Sequence, residues 1–106
     1  MNNMNKENIS MRDLDLILDK ELKVYLSLEH NIFELMAQYE KDANDILKDA
    51  LLRMIFVAKQ QNTALLGILT DYYSGDIKLR YSNSLRSKLD DLKEIESNIV
   101  RNNKTR

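Results

Sequence analysis

The residues whose types could do chemistry are the single histidine, His30, and many carboxylates. His30 lies four residues before Glu34, so the two share one helix face. A di-iron carboxylate bundle needs glutamate and histidine three residues apart on two helices, and the sequence lacks that pattern. It also has no cysteine to supply thiolate ligands. We therefore predict no metal site and no cofactor.

General acid–base catalysis needs two carboxylates that converge in a pocket and have perturbed pKa values. Most carboxylates of this chain fall opposite the apolar stripes, which is typical of a solvated helix surface. The sequence contains no Gly-rich phosphate loop, nucleophile elbow or zinc-protease helix. We predict no catalytic residues and expect that the protein is not an enzyme.

The elements that position these side chains are predicted to be helices. The 106 residues include no proline and two glycines, too few for the turns of a β-sandwich. Apolar residues recur at alternating spacings of three and four, which predicts helices over about 11–40, over a second stretch that ends near residue 73, and up to about Val100. Ser10 is placed to cap the first helix. We predict an all-α, up-down bundle of three long helices, completed by self-association.

The first connection of this bundle can be interpreted in two ways. Residues 40–45, "EKDAND", predict a turn in which Asp42 or Asn44 caps the second helix. The apolar phase continues across them, so the alternative is one helix over 11–73 in a dimeric bundle.

The two glycines fall in and after the second helix. In "TDYYSGDIKL", residues 70–79, Gly75 is placed to stop a helix; the alternative is an exposed tyrosine pair that contacts a partner. Gly67 lies inside the second helix, where a glycine is unfavourable, so it predicts a close approach by a neighbouring helix.

A single helical-bundle domain is expected over residues 10–101, between a disordered arm at 1–9 and a frayed tail at 102–106. Residues 1–76 carry a net charge of −5 and residues 77–106 carry +4, so the two parts are electrostatically complementary within one chain or between chains. No apolar run is long enough to span a membrane and no signal peptide is visible, so we expect a cytoplasmic protein. The Asn, Ile and Lys content suggests a bacterial or phage origin.

The second helix has the broadest apolar stripe, which is typical of a central helix that contacts two neighbours. Its stripe and the turn after it supply our candidate partner-binding residues, which are Met54, Val57, Leu65, Ile68, Tyr72 and Tyr73. The basic segment in the last helix includes Arg80, Arg86, Lys88 and Lys93. Acidic residues interleave with this segment, so we do not expect nucleic-acid binding.

The run "LDLILDKELKVYLSLEHNIFELM", residues 14–36, resembles in its leucine and charge spacing the first helix of flagellar export chaperones of the FlgN type. This resemblance implies a helical hairpin bundle that binds the terminal helices of its clients. Small secreted helical hairpins with a Trp-x-Gly turn and bacteriocin immunity proteins are similar in shape, although this chain has no tryptophan.

The leading hypothesis is a non-catalytic adaptor, secretion chaperone or immunity-type protein that binds a partner helix through its apolar face. The alternatives are a self-associating structural protein, which forms a homo-oligomer, and a small nucleic-acid-binding regulator that uses the basic last helix.

Overall fold

The computed structural model describes the backbone of residues 10–104 and the side chains of residues 10–101. Three long helices fill this range, and the described residues form no strand. Helix α1 is Met11–Lys41, α2 is Asp45–Tyr72 and α3 is Gly75–Lys104. They make an elongated bundle 55 Å long and about 22 Å across. The predicted all-α bundle of three helices is confirmed.

The hairpin between α1 and α2 is also confirmed, and the alternative of one helix over 11–73 is wrong. Helix α1 ends at Lys41, and its last turn is closed by Asp42, whose backbone N–H donates to the Gln38 carbonyl oxygen. Asn44 then caps α2: its Oδ1 accepts from the Leu47 N–H at 2.8 Å. The Asn44 side chain thus gives a backbone N–H a hydrogen-bond partner, which favours the start of a second helix here over continuation of the first.

The start of α1 is capped in the same way. The Oγ of Ser10 accepts from the Asp13 N–H at 3.1 Å, as the sequence predicts. Asp13 also places a negative charge in the first turn, where the helix dipole favours it.

The two glycines have different roles. Gly75 has a φ of +69°, in the left-handed region that favours glycine, but it is the first residue of α3. Helix α2 already ends at Tyr72, where the Tyr73 N–H donates to the Leu69 carbonyl oxygen, so Gly75 does not itself stop α2 as the sequence predicted. Gly67 is exposed, and a Cβ placed on it would meet no atom within 4 Å. The predicted close approach of another helix at Gly67 is therefore wrong. Its side of α2 faces outward, because the buried face of this helix follows a different stripe, which includes Leu51, Ala58 and Leu69.

Helix α2 is the central helix, as its broad stripe predicts, since it packs against both α1 and α3. The buried side chains recur at spacings of three, four and seven, so each helix contributes one continuous seam. The principal buried side chains are Leu18, Tyr25, Ile32 and Tyr39 from α1, Leu51, Ile55, Ala58, Leu65 and Leu69 from α2, and Leu85, Leu92 and Ile99 from α3.

The ends of the chain differ partly from expectation. The α3 backbone stays helical to Lys104, beyond the expected end near Val100. The expected arm at residues 1–9 and the last two residues of the expected tail, 105–106, lie outside the described residues. None of the three described helices has an apolar stretch that would let it cross a membrane.

Candidate functional site

The first and third helices leave a groove between them. Over the described residues, every Cα atom of α1 lies more than 8 Å from every Cα atom of α3, whereas α2 approaches both helices more closely. Two clefts of about 370 Å³ each open between α1 and α3, one near each end of the bundle. We call this feature the α1–α3 groove. Its α1 wall runs from Asp15 to Glu40, and its α3 wall runs from Ile77 to Arg101.

The α1 wall carries exposed apolar side chains. Leu22 lines the cleft nearer the start of the helix, and Glu29 reaches α3 through an ion pair with Lys88. Leu26 and Phe33 lie on the same helix face as Leu22 and Glu29, each four residues further along. They are 51% and 53% exposed, which is high for large apolar side chains beside a core. The wall therefore offers apolar surface that the bundle itself does not cover.

The α3 wall also carries a row of partly exposed apolar side chains. Ile77 and Tyr81 line the first cleft and are 52% and 41% exposed. Lys88 and half-buried Ile95 continue the row on the same helix face at steps of seven residues. Asn98, three residues after Ile95, lines the second cleft. Apolar side chains thus lie on both sides of the groove, with polar ones between them.

A hydrogen bond joins α1 to the turn before α3 in the first cleft. The Tyr73 hydroxyl donates to Asp15 Oδ1 at 2.6 Å. Partial burial of the ring, this hydrogen bond and the charge of Asp15 raise the pKa of Tyr73 to about 12. The phenol therefore keeps its proton, and can donate it to the carboxylate, to a higher pH than an ordinary tyrosine does. Leu18 adds apolar lining to this cleft, while Asp19 and Arg80 add charge.

The middle of the groove is bridged by an ion pair. Lys88 Nζ lies 3.2 Å from Glu29 Oε2, and both side chains are largely shielded, with 32% and 20% exposure. A second inter-helix pair, Lys59 to Glu96 at 2.9 Å, joins α2 to α3. These two pairs hold α3 against both of its neighbours. Beyond them, the second cleft is lined by side chains that include Met36, Glu40 and Arg101.

A buried polar contact lies behind the groove. Asn62 is fully buried, and its Nδ2 donates to the Leu85 carbonyl oxygen at 2.8 Å and to the Tyr25 hydroxyl at 3.4 Å. Burial raises the pKa of the Tyr25 hydroxyl, the bond from Asn62 opposes that shift, and the nearby charges of Glu29 and Asp91 add to it. Asp91 lies seven residues before Asn98 of the second cleft, so it is on the groove face of α3 as well.

The partner-binding candidates from α2 do not form one surface. Leu65 is fully buried and belongs to the core, so it is not accessible to a partner in this structure. Met54 and Ile68 are half-buried, and Val57 is 46% exposed on the outside of α2. Tyr72 is exposed at the end of α2, whereas Tyr73 lies in the first cleft.

The candidates in the basic segment are also divided. Arg80 lies in the first cleft beside two aspartates, and Lys88 is paired with Glu29. Arg86 and Lys93 are exposed elsewhere on α3.

The sequence interpretation missed three exposed apolar residues of the groove walls, which are Leu26, Phe33 and Ile77. The sequence did contain a sign of their exposure: each of these large apolar residues lies at the edge of a stripe, where a three-helix bundle has no neighbour to cover it.

The residues considered for metal or acid–base chemistry lie on the surface. His30 Nε2 is 3.6 Å from Glu34 Oε2, and both side chains are about two-thirds exposed. Within the described part of the chain, no group of three or more His, Asp or Glu side chains is arranged to hold a metal ion.

Comparisons with protein-family models, with curated proteins and with solved structures find no match to this chain. The resemblance of residues 14–36 to flagellar export chaperones therefore stays a prediction. The groove and its neighbouring contacts are the basis for a functional proposal.

Proposed function

We propose that this protein is a non-catalytic interaction module that binds an amphipathic helix of a partner protein in the α1–α3 groove. The observation that carries the proposal is the separation of α1 from α3, with half-exposed apolar side chains on both walls. Helices that pack with their axes 8–10 Å apart bring facing Cα atoms, each about 2.3 Å from its own axis, well within 8 Å, which α1 and α3 do not do. A helix in the groove would contact both walls and cover Leu26, Phe33 and Ile77.

The dimensions of the groove suit a helix of moderate length. The apolar side chains of its α3 wall extend from Ile77 to Ile95, on either side of the Lys88–Glu29 ion pair, which is roughly 27 Å at 1.5 Å per residue. A partner helix of about 18 residues would cover this length. Such a helix needs apolar residues at positions i, i+3, i+4 and i+7 to face the groove. This mode of recognition is the adaptor or secretion-chaperone role predicted from the sequence.

The charges favour a protein partner over a nucleic acid. Two of the basic candidates, Arg80 and Lys88, lie beside carboxylates of α1. A nucleic-acid surface depends on cations that are available to phosphates. Lys88 is paired with Glu29 and Arg80 shares its cleft with two aspartates, so this segment does not present the unopposed positive surface that a nucleic acid needs, whereas local charge pairing with another helix remains available.

The experiment measures binding of a fluorescein-labelled helical peptide of about 18 residues, with a leucine stripe and uncharged Gln and Ser elsewhere. Fluorescence anisotropy gives its affinity for the wild type, for Phe33→Asp and for Val57→Asp. Phe33 and Val57 are similarly exposed but lie on different surfaces, so Val57→Asp is the matched control. Circular dichroism verifies that both variants fold.

We expect Phe33→Asp to weaken peptide binding by at least about tenfold, because a carboxylate would have to lose water against the apolar stripe. Val57→Asp should bind like the wild type. No binding to the wild type, or equal loss in both variants, would contradict the proposal. Light scattering on the free protein tests whether a second copy of this chain occupies the groove. A stable dimer that Phe33→Asp dissociates would assign the groove to self-association instead.

A further inference from the structure

The α1 wall of the groove is acidic. Asp15 and Asp19 line the first cleft, Glu29 lies in the middle and Glu40 lines the second cleft. These carboxylates share one helix face along most of α1. Lys23 contacts Asp19 at 3.1 Å, but both side chains are more than 60% exposed, so this pair is weak.

The α3 wall carries cations at the same levels of the bundle. Arg80 shares the first cleft with the two aspartates, Lys88 pairs with Glu29, and Arg101 shares the second cleft with Glu40. Asp91 and Glu94 depart from this pattern, since they lie seven residues before Asn98 and Arg101 of the second cleft and so on the same face of α3. The α1 side of the groove is thus acidic, whereas the α3 side has a smaller positive excess, with its cations near both ends and in the middle.

We propose that the partner helix has segregated flanks: basic residues along the flank that lies against α1 and acidic residues along the flank that lies against α3. This inference rests on the proposed function and specifies the chemistry of the partner. A helix that lies in a groove between two others presents one flank to each wall, as the positions beside a coiled-coil seam do. Complementary charges on these flanks contribute to specificity more than to raw affinity.

The same pattern sets the direction of the bound helix. When the apolar stripe faces the groove, turning the helix end for end exchanges its two flanks. Only one direction then places the basic flank against the acidic α1 wall. The other direction places like charges side by side along both walls, which disfavours it.

The test uses three labelled peptides of identical composition and no net charge, built on the same leucine stripe. The first has a Lys flank and a Glu flank, the second has these flanks exchanged, and the third has Lys and Glu mixed on both flanks. Anisotropy gives the affinities at low and high salt. A nitroxide at the peptide N-terminus reports direction, because it broadens NMR signals of nearby residues at one end of the groove.

We expect both segregated peptides to bind about tenfold more tightly than the mixed one at low salt, an effect equal to several exposed ion pairs. The difference should shrink at high salt. The two segregated peptides should broaden signals at opposite ends, near Asp15 for one and near Glu40 for the other.

Paired substitutions test whether the α1 wall causes the preference. Asp19→Asn with Glu40→Gln removes charge from both ends of that wall, so it should reduce the preference for segregated peptides. Asp49→Asn with Asp71→Asn is the matched control, because it neutralises two exposed carboxylates of α2 and should leave the preference unchanged.

The possible failures are distinguishable. Equal binding of all three peptides, or one direction for both segregated peptides, would overturn the inference about the flanks and leave the helix-binding groove intact. Failure of these peptides and of the uncharged leucine-stripe peptide to bind would overturn the proposed function together with this inference.

Discussion

The amide of Asn62 connects the side chain of Tyr25 on α1 with the backbone of α3. Its Nδ2 donates to the Tyr25 hydroxyl at 3.4 Å and to the Leu85 carbonyl oxygen at 2.8 Å, while its Oδ1 is buried without a hydrogen-bond partner in the described structure. A buried polar atom without a partner costs about 1–3 kcal/mol, whereas a made hydrogen bond contributes about 1 kcal/mol. The contact therefore adds little net stability to the bundle.

The first prediction concerns removal of this contact. Asn62→Leu together with Tyr25→Phe should leave the free energy of unfolding unchanged or raise it by about 1 kcal/mol, because no buried polar side chain then lacks a partner. Asn62→Leu alone should be less stable than the double variant, because it leaves the buried Tyr25 hydroxyl without the bond from Asn62. Urea unfolding of the wild type, both single variants and the double variant gives the coupling energy.

A double variant that is several kcal/mol less stable than the wild type would contradict this account. It would show that the polar contact contributes net stability despite the unpartnered Oδ1.

The second prediction concerns pH. The pKa of Tyr73 is raised from 10.0 to about 12 in the folded protein. The native state therefore holds this proton more tightly than the unfolded chain does. The stability that results is fully present below pH 10 and is lost as the pH rises through 10 towards 12. Wild type and Tyr73→Phe should therefore differ in stability near neutral pH and converge above about pH 10, as measured by urea unfolding.

Asp15→Asn provides the second readout. It removes the carboxylate that contributes to the raised pKa of Tyr73, so this tyrosine should titrate closer to 10.0 in an ultraviolet absorbance titration. An unchanged titration in Asp15→Asn would show that the hydrogen bond does not hold the proton on Tyr73.

The helices and their ends were largely predictable from the sequence, because they depend on local chemistry. The Asn44 side chain satisfies a backbone N–H three residues away, and Gly75 takes a φ that other residues avoid. Neither depends on the rest of the fold. The stripe of α2 likewise predicted a central helix, since the width of an apolar stripe reflects the number of neighbours.

The groove was not predictable in the same way. Leu65 and Val57 both belong to the apolar stripe of α2, yet one is fully buried and the other 46% exposed. Which residues of the stripe remain uncovered depends on where α1 and α3 pack around α2, and that arrangement is a tertiary property. The contact between Tyr73 and Asp15 joins residues 58 positions apart and has no local signature. Gly67 was misread because a glycine in a helix has no local feature that distinguishes close packing from exposure.

The third prediction compares the two turns. Asn44→Ala should lower the free energy of unfolding by about 1 kcal/mol through loss of the cap on α2. Gly75→Ala should lower it by about 1–2 kcal/mol, because alanine is strained at a φ of +69° even though no atom obstructs its Cβ. Gly67→Ala is the matched control: it should raise stability by up to about 1 kcal/mol, since Gly67 is an exposed position inside a helix. Thermal and urea unfolding measure all three, and a stabilising Gly75→Ala would contradict the strain.

The fourth prediction separates core from surface along α2. Leu65→Ala should destabilise the protein by about 2–5 kcal/mol, because it removes a fully buried side chain and leaves a cavity between the helices. Val57→Ala removes fewer atoms from a side chain that is 46% exposed, so it should cost less than about 1 kcal/mol. Urea unfolding measures both differences. If Leu65→Ala were as mild as Val57→Ala, α2 would not be the central helix of this bundle, and the groove between α1 and α3 would lose its structural basis. If Leu65→Ala alone is severe, a loss of peptide binding in that variant reflects unfolding, and only surface substitutions such as Phe33→Asp report on the groove.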